Sequence, residues 1–294
     1  MHLANAMVSP AVATTMAVVA AGALALAARR VRASADDARL RPMAVLGALV
    51  FALQMVDVAI PGTGSSGHVG GGVLLAMVLG PHAGLLVMAA VLAVQAVFFG
   101  DGGLMALGAN IVNLGVLPCL VVAPLLARAD SAASRGRTAL GATVACTLAL
   151  QLGSLGVVAQ AGLSGTAAPA TLAASLLPIH LPVGLAEGLL TAAVVLVLQR
   201  AQRGARTLPL LGAIAGTAIA IGGVLTWFAS PLPDGLEWSL ARSVASTAPV
   251  ATAAWPHVDA ATSASGVAGV LLTLTLVAAM ARALRARSSR RPVR

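Results

Sequence analysis

Long apolar stretches follow one another along this chain, and short connections rich in glycine or arginine separate them. A helix that crosses a lipid bilayer needs about 20 mostly apolar residues. We therefore predict an all-α integral membrane protein with about nine transmembrane helices. The apolar segments lie at residues 7–28, 43–60, 69–80, 83–99, 104–127, 138–161, 174–199, 208–229 and 264–281.

The third apolar segment is short for a membrane span. Glycines at positions 67, 70, 71 and 72 lie just before it or in its first turn. Because glycine lets helix backbones approach closely, we expect this segment to pack against the fourth as one half of a helical hairpin.

Composition agrees with a membrane protein and excludes several activities. Hydrophobic residues make up 59% of the 294 residues and charged residues only 9%, against about 25% in ordinary globular domains. The chain has no lysine, whereas the phosphate-binding loop of ATPases requires one. Any ATP that drives this protein is therefore hydrolysed by another chain. Cys119 and Cys146 lack paired spacing, so we expect buried small hydrophobic residues and not a disulfide or metal site.

Arginines predict the topology. Cytoplasmic loops carry the excess of basic residues, and with nine spans alternate loops face the same side. All arginines except Arg242 then share one side, which predicts an outer N-terminus, a cytoplasmic C-terminus and a multi-pass protein of the plasma membrane. This pattern also argues against nucleic-acid binding. The arginines on the predicted cytoplasmic side are Arg29, Arg30, Arg32, Arg39, Arg41, Arg128, Arg135, Arg137, Arg200, Arg203, Arg206, Arg282, Arg285, Arg287, Arg290, Arg291 and Arg294.

Two further features agree with this topology. Trp227, Trp238 and Trp255 fall at or near the outer ends of the last two spans, where interfacial tryptophans are expected. The first arginines follow the first apolar stretch, whereas a signal peptide carries positive charge before it. We therefore expect the mature chain to keep Met1.

Ionisable residues inside membrane spans are candidates for function, because burying a charge in a bilayer is costly. Asp57 lies near the outer end of the second span, and His180 and Glu187 lie in the seventh. Pro178 and Pro182 bracket His180 and remove backbone donors, so we expect this helix to be kinked or broken there. His180 and Glu187 are either buried polar residues satisfied by neighbouring helices or part of a transport path.

Four amide side chains also fall inside spans. Asn110 and Asn113 lie three residues apart in the fifth span, with Gln54 in the second and Gln95 in the fourth. We expect them either to hydrogen-bond between helices or to support metal ligands from behind.

The start of the chain offers a set of metal ligands. The α-amine of Met1, the backbone nitrogen of His2 and Nδ1 of His2 close fused five- and six-membered chelate rings on one metal. His68 would fill the remaining in-plane position, so that four nitrogens surround the ion. This arrangement suits Ni2+ or Cu2+ and is reachable by Co2+. Because the amide must lose its proton, binding should weaken steeply as pH falls.

A series of motifs over most of the chain is specific in its combination and order. It comprises Pro61-Gly62-Thr63-Gly64-Ser65-Ser66-Gly67-His68, Leu79-Gly80-Pro81, Phe99-Gly100-Asp101-Gly102-Gly103-Leu104, Ala106-Leu107-Gly108-Ala109-Asn110-Ile111 with Asn113, and His180-Leu181-Pro182 followed by Gly184, Glu187 and Gly188. These motifs resemble the CbiM/NikM family, whose members are the substrate-binding membrane components of cobalt and nickel importers of the energy-coupling factor type.

A second resemblance follows near the C-terminus. Pro233-Asp234-Gly235-Leu236-Glu237-Trp238, with the helix from Gly266, resembles the PDGLE domain, a two-span component that accompanies the metal binder and is sometimes fused to it. We therefore expect residues 1–206 to form the metal-binding component and residues 207–294 a PDGLE domain with two transmembrane helices. Asp234 and Glu237 are expected to attract cations weakly, and His257 and Asp259 to face solvent.

The resemblance implies Ni2+ or Co2+ as the transported substrate, held at the outer face by Met1, His2 and His68, and no organic cofactor. It implies as partners a transmembrane coupling component and a pair of cytoplasmic ATPases. Family members use ATP hydrolysis in those partners to reorient the binder and release the ion inward. Cytoplasmic loops such as the one carrying His82 are where coupling contacts are expected. The choice between nickel and cobalt, and between cobalamin synthesis and a nickel enzyme downstream, stays open.

One departure from the family concerns the N-terminal tail. Members usually continue from Met-His with a Pro-Asp-Gly turn, whereas this chain reads Leu3-Ala4-Asn5-Ala6. The ligand atoms survive the change, and we expect the tail to enter the site differently.

Two alternative functions remain. Gly64-Ser65-Ser66-Gly67 resembles the motif of intramembrane serine proteases, with His180 as the base. Replacing Ser66 with alanine would then abolish proteolysis, whereas a metal importer would keep its uptake. The second alternative is a stand-alone permease, for which metal would accumulate without partner ATPases.

Overall fold

A computed structural model describes residues 1–33, 37–127, 134–203, 207–243 and 260–288 of the protein, which form a bundle of helices. Two shorter apolar helices, Leu40–Gln54 and Leu208–Gly223, accompany the long ones. The prediction of a helical membrane fold is confirmed, whereas the count of nine spans and their orientation stay predictions. Six helices in the described ranges are long and apolar enough to cross a membrane, namely Pro10–Ala33, Pro81–Phe99, Leu107–Leu126, Arg135–Leu163, Pro169–Ala201 and Ser263–Arg285.

The order of elements follows the predicted apolar segments. Wider π-helical turns extend α4 over Gln95–Phe99 and join α5 to α6 over Val112–Val122. Short 3-10 turns form at Asn5–Met7 and Leu225–Phe228. The helices and strands are α1 (Pro10–Ala33), α2 (Asp37–Gln54), β1 (Val58–Ile60), β2 (Ser65–Gly67), α3 (Gly72–Leu79), α4 (Pro81–Val94), α5 (Leu107–Ile111), α6 (Ala123–Leu126), α7 (Arg135–Leu163), α8 (Pro169–Arg203), α9 (Thr207–Gly223), α10 (Gly235–Ser243) and α11 (Ala260–Ser288).

The second helix ends earlier than its apolar pattern predicted. It stops at Gln54, and the chain then forms an antiparallel hairpin in which Val58 pairs with Gly67 and Ile60 with Ser65. The apolar strand β1 reads in sequence as a continuation of the helix, which explains the error. Asp57 therefore lies between α2 and β1 and not inside a helix.

The hairpin of α3 and α4 is confirmed. Helix α3 has 8 residues and is about 12 Å long, whereas α4 with its π-helical extension has 19 residues and is about 28 Å long. The two helices pack against each other, and the partner of a full-length span is thus a half-length helix. The chain before α3 consequently runs through the bundle without helical hydrogen bonds of its own.

Buried polar side chains form hydrogen bonds with the backbone of this non-helical stretch. The backbone N–H groups of Gly70 and Gly71 donate to the two carboxylate oxygens of Glu187, each at 2.8 Å. Gln54 Nε2 donates to the Gly70 carbonyl at 2.7 Å, and Gln95 Nε2 donates to Gln54 Oε1 at 2.9 Å. Irregular backbone inside a membrane protein is tolerated only where such partners exist. Glu187, Gln54 and Gln95 therefore support the loop that follows His68.

Helix α8 is continuous through Pro178 and Pro182, so it is not broken there, whereas the predicted kink stays a prediction. Two side chains donate hydrogen bonds to backbone carbonyls near these prolines. Gln151 Nε2 donates to the Leu177 carbonyl at 3.0 Å, and His180 Nδ1 donates to the Leu176 carbonyl at 2.9 Å. His180 and Glu187 are each buried and bonded to separate backbone groups, which favours the interpretation that neighbouring structure satisfies them.

Two opposite faces of the bundle differ in charge. The N-terminal face carries residues 1–9, the β-hairpin and the turn at 230–234, where the Ser230 N–H donates to the Asp57 carbonyl at 2.8 Å. The opposite face carries the last turns of α1, α8 and α11 and the first turns of α2 and α7. The described arginines lie in or next to those turns, except Arg242, which packs over the Trp238 ring at 4.1 Å on α10. This distribution agrees with the predicted arginine asymmetry.

Several predicted positions lie outside the described residues. They are Arg128, Arg206, Arg290, Arg291, Arg294, Trp255, His257 and Asp259.

Candidate metal centre

Met1 and the side chain of His2 are buried at the N-terminal face, among three segments that are distant in sequence. The Met1 α-amine lies 3.3 Å from His68 Nε2 and donates to Asp234 Oδ2 at 2.8 Å. The Met1 side chain is only 2% exposed, and Ser154 Oγ donates to its sulfur at 3.3 Å. Met1 and His68, which the sequence placed in one site, are thus in direct contact.

His68 presents a free electron pair to the amine. Its Nδ1 lies 3.0 Å from the Val69 carbonyl, which only accepts hydrogen bonds, so Nδ1 carries the proton and Nε2 does not. Burial, and then the neighbouring α-amine and His2, lower the pKa of His68 to about 3. The imidazole is therefore neutral near pH 7, as a metal ligand must be.

His2 lies beside His68, and its ring stacks on that of His68 with centroids 5.1 Å apart. Its Nδ1 lies 2.8 Å from Asp101 Oδ1. Its buried Nε2 has no hydrogen-bond partner among the described residues. Burial alone would raise the pKa of Asp101, but the adjacent His2 outweighs this effect and holds that pKa below its usual value. In this arrangement the contact with Asp101 engages His2 Nδ1, the nitrogen that the predicted chelate requires.

The N-terminal tail enters the site along a path set by Leu3 and Asn5. Asn110 Oδ1 accepts from the Leu3 N–H at 2.8 Å, and the Leu3 carbonyl accepts from the Gly103 N–H at 2.8 Å. Asn5 Oδ1 accepts from the Met105 N–H at 2.8 Å. The atypical Leu3-Ala4-Asn5-Ala6 segment therefore replaces the usual turn with pairing to residues 103–110.

Asn113 has a different role from Asn110. Its Nδ2 donates to Gln160 Oε1 at 2.8 Å, and Gln160 Nε2 donates back to Asn113 Oδ1 at 3.1 Å. This is a reciprocal bond between helices, one of the two roles expected for these amides. Asn110 instead pairs with Leu3, in the tail that carries the predicted ligands.

Three carboxylates surround the α-amine, and sequence reasoning missed how close they are. The pKa of Asp234 is well below its usual range, because the charge and hydrogen bond of the amine outweigh the effect of burial. Burial and then the nearby Asp234 raise the pKa of Asp57 to about 7. Asp101 is the third. Asp234 was expected to attract cations weakly, whereas it forms an ion pair with the chain terminus.

Side chains alone do not form a metal site here. Among the described residues, no group of three or more His, Cys, Asp or Glu side chains is placed to hold a metal ion. The predicted metal complex therefore also requires the nitrogens of Met1 and His2.

Comparison with known protein families agrees with the resemblance described for the sequence. Residues 2–205 match the family described as "Cobalt uptake substrate-specific transmembrane region" (CbiM). The chain belongs to the CbiM family. Residues 208–254 match the PDGLE domain.

Relatives of this CbiM-family chain are metal transport proteins. It is 35% identical over 157 residues to a putative metal transport protein of Haloquadratum walsbyi, covering 53% of this chain and 72% of that protein. It is 47% identical over 77 residues to a putative fused nickel transport protein NikMN of Archaeoglobus fulgidus, covering 26% of each chain. A crystal structure of a transition metal transporter superposes with a TM-score of 0.60 and 26% identity, over 69% of this chain and 94% of that chain. This is a multi-pass membrane protein related to cobalt and nickel transporters.

The contacts of Ser66 do not favour the protease alternative. Its hydroxyl donates to the Leu232 carbonyl at 2.8 Å, and His180 Nδ1 donates within its own helix. A nucleophilic serine instead needs a base within hydrogen-bond reach of its hydroxyl.

Proposed function

We propose that this protein is the substrate-binding membrane component of an ATP-driven importer of the energy-coupling factor type. Residues 1–206 capture Ni2+ or Co2+ at the outer face and pass it to the cytoplasm, and residues 207–294 form the accompanying PDGLE part. The ion is bound by the Met1 α-amine, the backbone nitrogen and Nδ1 of His2, and His68 Nε2. The protein is a transporter subunit and depends on partner ATPases for energy.

The contact between the Met1 α-amine and His68 Nε2 carries this proposal. In the planar chelate His68 is the neighbour of the amine, and two adjacent nitrogens on a metal with bonds of about 2.0 Å lie about 2.8 Å apart. The observed 3.3 Å needs little adjustment to admit an ion. His68 is neutral and its free electron pair faces the amine, so both donors are already aligned.

His2 requires a larger change. Its Nδ1 must leave Asp101 Oδ1, 2.8 Å away, and turn toward the ion. The carboxylates of Asp57, Asp101 and Asp234 favour a dication in the pocket during this exchange. Planar nitrogen coordination favours Ni2+ on chemical grounds, and Co2+ binds similar ligand sets.

Partner proteins are expected at the opposite face. The first turn of α4 carries His82 and lies near the arginine-rich helix ends. A transmembrane coupling component would contact this face and connect it to the ATPase pair. The chain lacks lysine and hence a phosphate-binding loop of the Walker type.

Metal binding to the purified full chain with a free Met1 tests the ligand set. We expect one Ni2+ or Co2+ per chain with nitrogen-only coordination in X-ray absorption spectra. His2→Ala, His68→Ala and insertion of one residue before His2 should each abolish binding, because each removes or displaces a ligand. His82→Ala, on the opposite face, should bind as the wild type does. Undiminished binding after the His2 change or the insertion would refute the proposed site.

Metal uptake by cells tests the importer. Cells that produce this chain with its coupling component and ATPases should accumulate labelled Ni2+ or Co2+. Inactivating the ATPases should reduce accumulation to background. Uptake that persists without the ATPases would instead identify a stand-alone permease.

A further inference from the structure

The turn formed by Pro233, Asp234 and Gly235 covers the metal site. We propose that this turn is the outer wall of the site, and that Asp234 is a positioning residue that holds the Met1 α-amine against His68. This inference rests on the proposed function, and it assigns the PDGLE segment a direct role in forming the metal complex.

The turn is attached to the strand that leads into His68. The Ser66 N–H donates to the Pro233 carbonyl at 2.8 Å, and Ser66 and Asp234 form a parallel β-bridge. The Ser66 hydroxyl adds a bond of 2.8 Å to the Leu232 carbonyl. Ser66 lies two residues before His68, so the turn and the imidazole ligand are fixed to the same strand.

The two oxygens of Asp234 have separate partners. Oδ1 accepts from the Glu237 N–H at 2.7 Å and so caps the first turn of α10, a stabilising arrangement for a helix start. Oδ2 accepts from the Met1 α-amine at 2.8 Å. The helix cap fixes the orientation of the carboxylate, and its second oxygen is thereby aimed at the amine.

This contact is compatible with a bound metal. An amine that gives its electron pair to a metal keeps two N–H bonds, so Oδ2 can still accept one of them. Hydrogen-bond partners behind metal ligands orient them, and removing such a partner usually weakens metal binding 10- to 100-fold. Asp234 is 20% exposed and Met1 only 2%, so the carboxylate lies on the solvent side of the amine.

The turn packs against helix α8, and glycine at position 235 permits this close approach. A Cβ atom there would lie 2.7 Å from Ile179 Cγ2 and 3.0 Å from His180 Cε1. Any larger residue would lift the turn from α8. The buried His180 therefore has a packing role beneath the PDGLE segment.

Chemical labelling of the α-amine tests whether the turn shields this group from solvent. The α-amine can be labelled selectively, because a chain without lysine has no other primary amine. The probe is an N-hydroxysuccinimide ester, and the readout is the intact mass of the full-length protein in detergent. We expect slow acylation of the wild type and at least about 10-fold faster acylation of Asp234→Asn and Gly235→Ala. Asp37→Asn makes the same chemical change at the start of α2 on the opposite face and should be labelled at the wild-type rate.

Ni2+ titration provides the second readout. Asp234→Asn keeps one oxygen for the helix cap but replaces the ion pair with an amide NH2 that faces the amine, so its thermal unfolding midpoint should fall. At a temperature where the wild type and the variant are both fully folded, its Ni2+ affinity should be about 10- to 100-fold lower than that of the wild type. Equal labelling and equal affinity in Asp234→Asn would overturn the inference.

His2→Ala separates this inference from the proposed function. If His2→Ala loses Ni2+ binding while Asp234→Asn binds like the wild type, the metal site stands and only the positioning role fails. If His2→Ala also binds Ni2+ normally, the proposed site itself is wrong.

Discussion

The side chain of Asn110 pairs with the backbone of Leu3 in both directions. Its Oδ1 accepts from the Leu3 N–H at 2.8 Å, and its Nδ2 donates to the Leu3 carbonyl at 3.1 Å. The amide thus imitates the pairing of a neighbouring strand and satisfies both polar groups of a fully buried residue. Because residue 3 is fixed, the direction in which His2 and the α-amine project is fixed as well.

Replacing Asn110 with alanine should weaken metal binding although no ligand is changed. The Leu3 N–H would lose its buried acceptor, and the tail would no longer be held in register. We expect the Ni2+ affinity to fall about 10- to 100-fold, the usual effect of removing a residue that orients ligands. Calorimetric titration of the purified protein measures this.

Asn113→Ala is the comparison for that experiment. It removes the reciprocal bond to Gln160 and should lower the thermal unfolding midpoint, but it leaves the tail pairing intact. Its Ni2+ affinity should change far less than that of Asn110→Ala. Similar losses in both variants would mean that Asn110 acts through general stability.

Replacing Glu187 with glutamine should destabilise the loop that follows His68. Only one oxygen would remain for the N–H groups of Gly70 and Gly71, and the new NH2 group would face a donor. Leaving a buried donor unsatisfied costs about 1–3 kcal/mol. We expect a lower thermal unfolding midpoint and, because His68 lies two residues before Gly70, weaker Ni2+ binding. An unchanged midpoint would favour a role for Glu187 in the transport path instead.

The apolar pattern predicted the helices well, because the length and hydropathy of a membrane span can be recognised in the sequence. It failed at α2, where the short apolar strand β1 continues the helix without a polar break. The half-length helix α3 could be placed next to α4 from its glycines. Its need for Glu187 and Gln54 could not be foreseen, because that need arises only when the bundle surrounds residues 69–71.

The site was only partly accessible from the sequence. Met1, His2 and His68 could be proposed as ligands from chelate chemistry and family resemblance. The pairing of Asp234 with Met1 joins residues 233 positions apart in the chain, and it depends on how α10 packs against α8. The carboxylate in the Pro233-Asp234-Gly235 motif could be recognised in the sequence, but no local sequence pattern predicts the cation with which it pairs.

Alanine at position 71 should severely destabilise the protein. Gly71 has φ of +78°, and a Cβ atom there would lie 2.6 Å from Val50 Cγ1. The backbone conformation costs about 1–2 kcal/mol for an L-residue, and the overlap adds about 1–3 kcal/mol. A combined change with Val50→Ala should recover only the second part. Gly136→Ala, which has open space, should unfold at the wild-type temperature or slightly above it.

Metal binding should strengthen as pH rises, because the ion displaces protons from two of its ligands. Burial alone would lower the pKa of the Met1 α-amine, but the charge and hydrogen bond of Asp234, with the charges of Asp101 and Asp57, outweigh burial and raise that pKa above its usual value, so the amine is protonated at neutral pH. Chelation removes that proton and the amide proton of His2, whereas His68, with a pKa of about 3, has none to lose. We therefore expect about two protons released per Ni2+ and an affinity that rises up to about 100-fold per pH unit between about pH 6 and 8. Titration calorimetry in buffers of different ionisation enthalpy counts these protons, and a release below about one would exclude the backbone chelate, because the amide and the amine cannot both bind the metal without losing their protons.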